Sequence, residues 1–275
     1  MSPRSDGPVR GRGAGINPAS RFGRTVSEAS DDGWDLGEED IRAPDTQVLP
    51  ERAKTILSWN TSPDIGFDRS LNPYRGCEHG CVYCYARPAH AYMDLSPGLD
   101  FETKLFYKQD AAKLLENELR KPGYTPAMVS LGANTDPYQP IEKTYRVTRS
   151  LLEVLSAYRH PVGIVTKGAA LIGRDLDLIV EMASAKLAMV AISITTLRDE
   201  LKRTLEPRAA SPGARLRAIR KLSEAGVPVI VMASPMIPFI NDSELEAILE
   251  AGREAGATAA SYIVVRLPHE VKDMF

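Results

Sequence analysis

All three cysteines of this 275-residue chain fall in one stretch, Cys77-Glu-His-Gly-Cys81-Val-Tyr-Cys84. The spacing is C-x3-C-x2-C, with the aromatic Tyr83 just before the last thiol. Three inert core cysteines would not crowd into so short a loop, whereas thiolates that serve one metal group would. A cube-shaped [4Fe–4S] cluster has four irons, and each takes one ligand beyond the sulfides, usually a thiolate. Three thiolates leave one iron open. An open iron holds a small molecule, so the cluster does chemistry instead of only carrying electrons. A Cys3His zinc site is the alternative, with His79 or His90 as fourth ligand. Zinc sites usually set a second ligand pair well downstream of a C-x2-C, and none follows here. Disulfides fit poorly, because the number is odd and no export signal is present.

Composition removes some function classes. Net charge is −2, so no global basic field predicts nucleic-acid binding, although a local groove is compatible with it. No apolar run is long enough to span a bilayer, and the N-terminus lacks the apolar segment of a secretory signal. Free thiols without an export signal point to the cytoplasm. With 43% hydrophobic and 25% charged residues, the chain is expected to build one large domain around a real core.

Residues 1–50 are predicted to be a disordered tail, basic and then acidic. Gly11-Arg-Gly-Ala-Gly15 has no strand before it and no Lys-Ser/Thr after it, so it reads as a flexible arm and not a P-loop. Residues 28–40 carry Glu28, Asp31, Asp32, Asp35, Glu38, Glu39 and Asp40 with no basic residue, as solvated runs do. Trp34 within this run is a candidate to dock on the folded body.

The core domain is expected over 51–275. Strands are predicted at 127–132, 161–166, 187–195, 227–233 and 259–267, and 67–74 reads as a first strand leading into the cysteine loop. Helices are predicted at 111–120, 143–158, 173–185, 212–225 and 243–255, with Asp110 and Asp242 as N-caps. A short helix over 83–93 and an extra strand over 103–107 lie between the first two strands. Such alternation gives an α/β fold with a parallel sheet and right-handed crossovers. Polar residues stand where the apolar runs stop: 134–139, Thr166-Lys167, Ser193, Thr195, Thr196, Ser234 and Arg266. In α/β barrels that rim carries the chemistry. Thr135 and Asp136 suit an amine there, Lys167 suits a carboxylate as a point charge, and Ser193 suits a ribose or a carboxylate. Glu206, Arg208 and Arg215 read either as substrate contacts or as a loop ion pair.

The stretch Asn72-Pro-Tyr-Arg-Gly-Cys77 through Cys84-Tyr-Ala-Arg87 resembles the cluster loop of the radical SAM enzymes. Tyr74-Arg75-Gly76 and Tyr85-Ala86-Arg87 narrow the resemblance to the spore photoproduct lyase-like branch, from about Ser58 to the end of the chain. The resemblance implies a partial open (β/α)6 TIM-like barrel. It implies a [4Fe–4S] cluster on Cys77, Cys81 and Cys84 with S-adenosyl-L-methionine on the open iron. It implies an electron donor of flavodoxin or ferredoxin type, and a 5′-deoxyadenosyl radical that abstracts hydrogen from an unidentified substrate. Thr135 and Asp136 would then face the amino group of the cofactor and Lys167 its carboxylate. Ser193 and Ser234 would lie by the ribose and adenine, with Tyr83 packed on the adenine. Relatives usually continue past the sixth strand, so the core reads either as truncated there or as a naturally short member.

Lyases of this branch use a further cysteine just past strand two as hydrogen donor, and Ala133 occupies that place. DNA photoproduct repair, with nucleic acid as partner, is therefore the second reading. A non-catalytic Cys-rich metal-binding protein is the third. Tyr85 and Tyr138 read as surface or packing tyrosines, with a radical relay as the alternative.

Overall fold

The computed structural model describes residues 11–22, 45–63 and 65–275. In chain order the strands are β1 (Gln47–Glu51), β2 (Leu57–Trp59), β3 (Arg69–Leu71), β4 (Tyr74–Arg75), β5 (Lys104–Lys108), β6 (Val129–Leu131), β7 (Val162–Thr166), β8 (Ala188–Ser193), β9 (Val229–Met236) and β10 (Ala259–Val264). The helices are α1 (Leu99–Thr103), α2 (Ala111–Leu119), α3 (Glu142–Tyr145), α4 (Val147–Ala157), α5 (Leu176–Ser184), α6 (Asp199–Leu205), α7 (Pro212–Glu224), α8 (Leu245–Glu254) and α9 (Val271–Met274).

The six expected strands are β3, β6, β7, β8, β9 and β10, and all pair in parallel with their neighbours. The sheet order is β10-β9-β8-β7-β6-β3-β2, with β2 antiparallel at one edge. The sheet is open between β10 and β2, which is the partial barrel the resemblance implied. One register row, Leu71–Leu131–Ile164–Val190–Val229, crosses five strands, and each member is fully buried. Strands covered on both faces are apolar in this continuous way. Helices α2, α4, α5, α7 and α8 supply the cover through Leu115, Leu151, Ile179, Ile219 and Ile248. Ser211 caps α7, its hydroxyl accepting from the Ala214 N–H, and Pro212 opens the helix.

Some expectations change at element ends. The single helix over 143–158 is two, α3 and α4, divided by Arg146 at φ +51°. The break lets the Glu142 carboxylate reach back and accept from the Thr148 and Arg149 N–H groups, which otherwise lack partners at a helix start. Asp110 stands at the N-cap of α2 but makes no capping bond. Asp242 opens a 3-10 turn instead, and Glu244 precedes α8. Glu244 makes no cap because its carboxylate accepts from Thr196 Oγ1 and Leu197 N.

The tail expected over 1–50 is corrected for its described parts. Residues 47–51 form β1, which pairs in parallel with β5. Arg12 and Ala14 are buried, because the Gly13 and Ala14 N–H groups both find the Glu102 carboxylate. The acidic run 28–40 and Trp34 lie outside the described residues.

Candidate active site

The cysteine loop leaves β4 and lies over the C-terminal ends of the strands. Its backbone is held from several sides. The Gly76 carbonyl accepts from Thr135 Oγ1 at 2.8 Å and Gln139 Nε2 at 3.2 Å. Cys77 N–H donates to the Phe101 carbonyl, and Glu78 N–H to Gln139 Oε1. The His79 carbonyl accepts from Arg208 N, the Cys81 carbonyl from Arg87 Nε, and Val82 N–H donates to the Leu205 carbonyl. Such bonds leave the loop few ways to move.

All three thiols line one cavity of about 140 Å³, with Tyr85, the ends of β6 and β7, and Ser193. Burial pushes each thiol above its ordinary value, so unaided they stay protonated. The charge of a bound metal group would ionise them. Among the described residues, no three His, Cys, Asp or Glu side chains are grouped to hold a single metal ion. His79 lines the same cavity, 3.3 Å from Asp136, and its buried Nδ1 has no hydrogen-bond partner among the described residues. His90 Nε2 donates to the Lys104 carbonyl.

Burial holds the His90 imidazole down to about 4, against an ordinary 6.5. A depressed folded value means that the unfolded chain binds more protons between those limits, so stability falls as pH falls from 6.5 to about 4. The contribution lost is about 3 kcal/mol. Urea unfolding of the cluster-free protein at pH 7, 5.5 and 4.5 should show a flatter acid dependence for His90→Gln than for the natural chain. Parallel curves for the two would refute this.

The other expected residues divide. Thr135, Asp136, Lys167 and Ser193 reach the cavity wall together with the thiols. Thr135 spends its hydroxyl on Gly76, as above. Asp136 accepts from Thr166 Oγ1 at 2.6 Å, Tyr138 N at 2.8 Å and Lys167 N at 2.7 Å. Burial opposes its ionisation, yet His79 and these donors outweigh it and hold the carboxyl below its usual range. Lys167 Nζ lies 3.3 Å from Glu206 and 3.2 Å from the Ser234 carbonyl. Two residues stand away from the wall. The Tyr83 ring is buried, its hydroxyl donating to Glu206 with Lys167 Nζ 5.9 Å from the ring centre, and Tyr85 takes the wall position. Ser234 offers its carbonyl to Thr195 and Lys167, while its buried hydroxyl has no partner among the described residues.

Glu206 is the feature that sequence reasoning left undecided. It is fully buried and receives Arg215, Tyr83 and Thr195 Oγ1. Burial would raise its carboxyl, but Arg215 and then Lys167 pull it far below the carboxylate range. Glu206 and Arg215 are thus an ion pair beneath the cluster loop. Arg208 pairs with Glu78 of the loop at 2.6 Å. No local signal marked it, because Arg198, Asp199, Glu200, Lys202 and Arg203 stand just before Glu206-Pro-Arg208 and make the stretch look like a solvated charged segment.

The model of the Radical SAM superfamily matches residues 71–252, and the chain belongs to that superfamily. An uncharacterized protein of Mycobacterium tuberculosis is 39% identical over 213 residues, 77% of this chain and 62% of that protein. The chain therefore spans about 62% of the length of its mycobacterial relatives. An uncharacterized protein of Methanocaldococcus jannaschii is 29% identical over 198 residues, 72% of this chain and 71% of that protein. Among solved structures, spore photoproduct lyase complexed with dinucleoside spore photoproduct superposes with TM-score 0.60 at 16% identity, over 82% of this chain and 64% of that one. A spore photoproduct lyase variant with bound AdoMet and the same dinucleoside gives TM-score 0.60 at 17% identity, with the same coverage. At these identities the likeness is one of fold. Among the described residues, no helix is long and apolar enough to cross a membrane.

Proposed function

We propose that this chain is an enzyme that cleaves S-adenosyl-L-methionine reductively at a [4Fe–4S] cluster held by Cys77, Cys81 and Cys84, in order to abstract hydrogen from a substrate. The observation that carries the reading is the convergence of every thiol in the chain on one cavity at the strand ends. When bound, the cluster and its cofactor supply an electron, an open iron site and a 5′-deoxyadenosyl radical. The chain's own residues hold the loop, exclude water and set the charge at the wall. Lys167 keeps a cationic head there, partly offset by Glu206, and suits the cofactor carboxylate. Thr135, Asp136, Ser193 and Ser234 border the space for the amino acid and nucleoside parts, and Tyr83 supports the loop from below. A flavodoxin or ferredoxin type donor in the cytoplasm would supply the electron.

Ala133 shapes the reaction class. Its carbonyl accepts from the Tyr85 hydroxyl. All three cysteines of the given sequence line that one cavity, so within these residues no further thiol is left to return hydrogen to a product radical. This speaks against reversal of a thymine lesion by the route in which a cysteine is the donor.

The test is anaerobic. The reconstituted, reduced protein is expected to show a cluster EPR signal that changes on adding S-adenosyl-L-methionine, with 5′-deoxyadenosine formed in the same tubes. Zinc in place of iron, or a cluster indifferent to the cofactor, would overturn the reading.

A further inference from the structure

Residues 11–22 run alongside the cysteine loop and the helix that follows it. Gly13 N–H donates to Glu102 Oε2 at 2.9 Å and Ala14 N–H to Oε1 at 2.8 Å. Successive N–H groups aimed at one carboxylate form a small anion cradle. Glu102 is fully buried and pairs with Arg87 at 2.5 Å. Arg87 in turn donates from Nε to the carbonyl of Cys81 at 2.9 Å. An unbroken chain of charge-assisted bonds thus joins the segment to the backbone of a cluster cysteine.

A second connection runs alongside. Arg12 Nη1 donates to the Glu102 carbonyl at 3.1 Å, and Nη2 to Thr46 Oγ1 at 3.0 Å. Thr46 donates to Glu78 Oε1 at 2.8 Å, inside the cysteine loop. Packing agrees with the bonds. A Cβ at Gly13 would stand 1.8 Å from the carbonyl oxygen of Gly80, backbone that lies between Cys77 and Cys81. Further along, Asn17 bonds Asp100 in both directions, and Ser96 Oγ donates to the Pro18 carbonyl at 2.7 Å.

We propose that residues 12–14 are a positioning strap for the cysteine loop, acting through Glu102 and Arg87 to hold Cys81 and through direct contact to hold Gly80. The inference rests on the reading of that loop as the cluster site, although its geometric core does not. Without the strap, the buried Glu102 carboxylate loses two donors and keeps Arg87. A buried charge stripped of partners draws its neighbour out of place or draws water in. Either event loosens the carbonyl of Cys81. The Gly-rich composition then has a reason in this place: a side chain at Gly13 cannot fit against the loop.

The chain's only thiols lie in the loop, so thiol chemistry reports on the loop alone. The experiment measures maleimide alkylation of the cluster-free, full-length protein, and chelator-driven bleaching of the reconstituted protein. The natural chain is compared with Gly13→Ala and with Gly66→Ala, a methyl added where nothing lies within 4 Å. Gly13→Ala should alkylate and bleach about tenfold faster, with far-UV circular dichroism unchanged, while Gly66→Ala matches the natural chain. Alkylation of Gly13→Ala at the natural rate would overturn the strap. Should Gly13→Ala not fold, Arg12→Gln removes the strap's side-chain bonds without adding an atom, and the same rate decides. A natural chain that takes up no cluster would sink the proposed function, while the alkylation rates would still judge the strap.

Discussion

Cys81→Ala is expected to remove cofactor cleavage altogether, with 5′-deoxyadenosine falling at least about a thousandfold, to the level of a protein-free control. Two thiolates would leave two irons without protein ligands, and a cluster so held is lost or loses the fixed open iron. The loop itself should survive the change. The bonds from Arg87, Leu205 and Arg208 reach its backbone and not the sulfur. Removing one buried sulfur costs about 1 kcal/mol of packing. Iron and sulfide per chain, EPR and product should therefore collapse together, while circular dichroism of the cluster-free protein stays as it was. A Cys81→Ala protein that keeps a full cluster and still makes 5′-deoxyadenosine would sink the three-thiol assignment.

Glu206→Gln is expected to cost about 3–5 kcal/mol of stability in the cluster-free protein, because it strands Arg215 as a buried charge. Arg215 is fully buried and keeps bonds to the Ser193 and Ala210 carbonyls, so it has no route to water. Tyr83 and Thr195 lose their anionic acceptor in the same step. The pH dependence has a definite sign. The Glu206 carboxyl is held below its ordinary 4.5 in the folded chain, so its contribution is complete above that value and lost as pH falls below it. The natural and Glu206→Gln proteins should differ most near neutrality and converge in acid. Denaturant unfolding across pH 3–7 checks this, and equal stabilities at pH 7 would refute it. Replacing the pair together, Glu206→Leu with Arg215→Met, should recover part of the loss, since a buried pair exchanged for apolar groups is often neutral.

Most of the sheet was legible because β6 to β10 fall in largely apolar runs between turn residues, whereas β3, Arg69-Ser-Leu71, carries no such run. β8 is the clear case, since no polar side chain interrupts 187–192. The cysteine loop was legible because its spacing encodes its chemistry. What could not be read was which polar side chain meets which. Asp136 and Lys167 were assigned to a cofactor from their position at strand ends. Folded, they also brace His79 and Glu206, partners at sequence distances that no local pattern records. Tyr83 was assigned by its place beside Cys84, but the Glu206 anion draws its hydroxyl inward. The Gly-rich segment at 11–15 was misread for a related reason. Its low complexity looks like freedom, whereas its two N–H groups are committed to a carboxylate some ninety residues away. Short elements such as α6 and β4 carry too few residues to show a period.

The distances in sequence between the loop and its anchors set an order of events during synthesis. Glu78 bonds Arg208 across 130 positions and Gln139 across 61. Val82 is tied to Leu205, at the end of α6. When the cysteines first emerge from a ribosome, none of these anchors has been made. The loop takes its shape only after most of the sheet has been translated and closed over, since pairings so remote in sequence form late. Iron and sulfide delivered earlier would meet a flexible peptide with three competing thiols. Delivered later, they would meet a loop whose backbone is already held by its distant anchors.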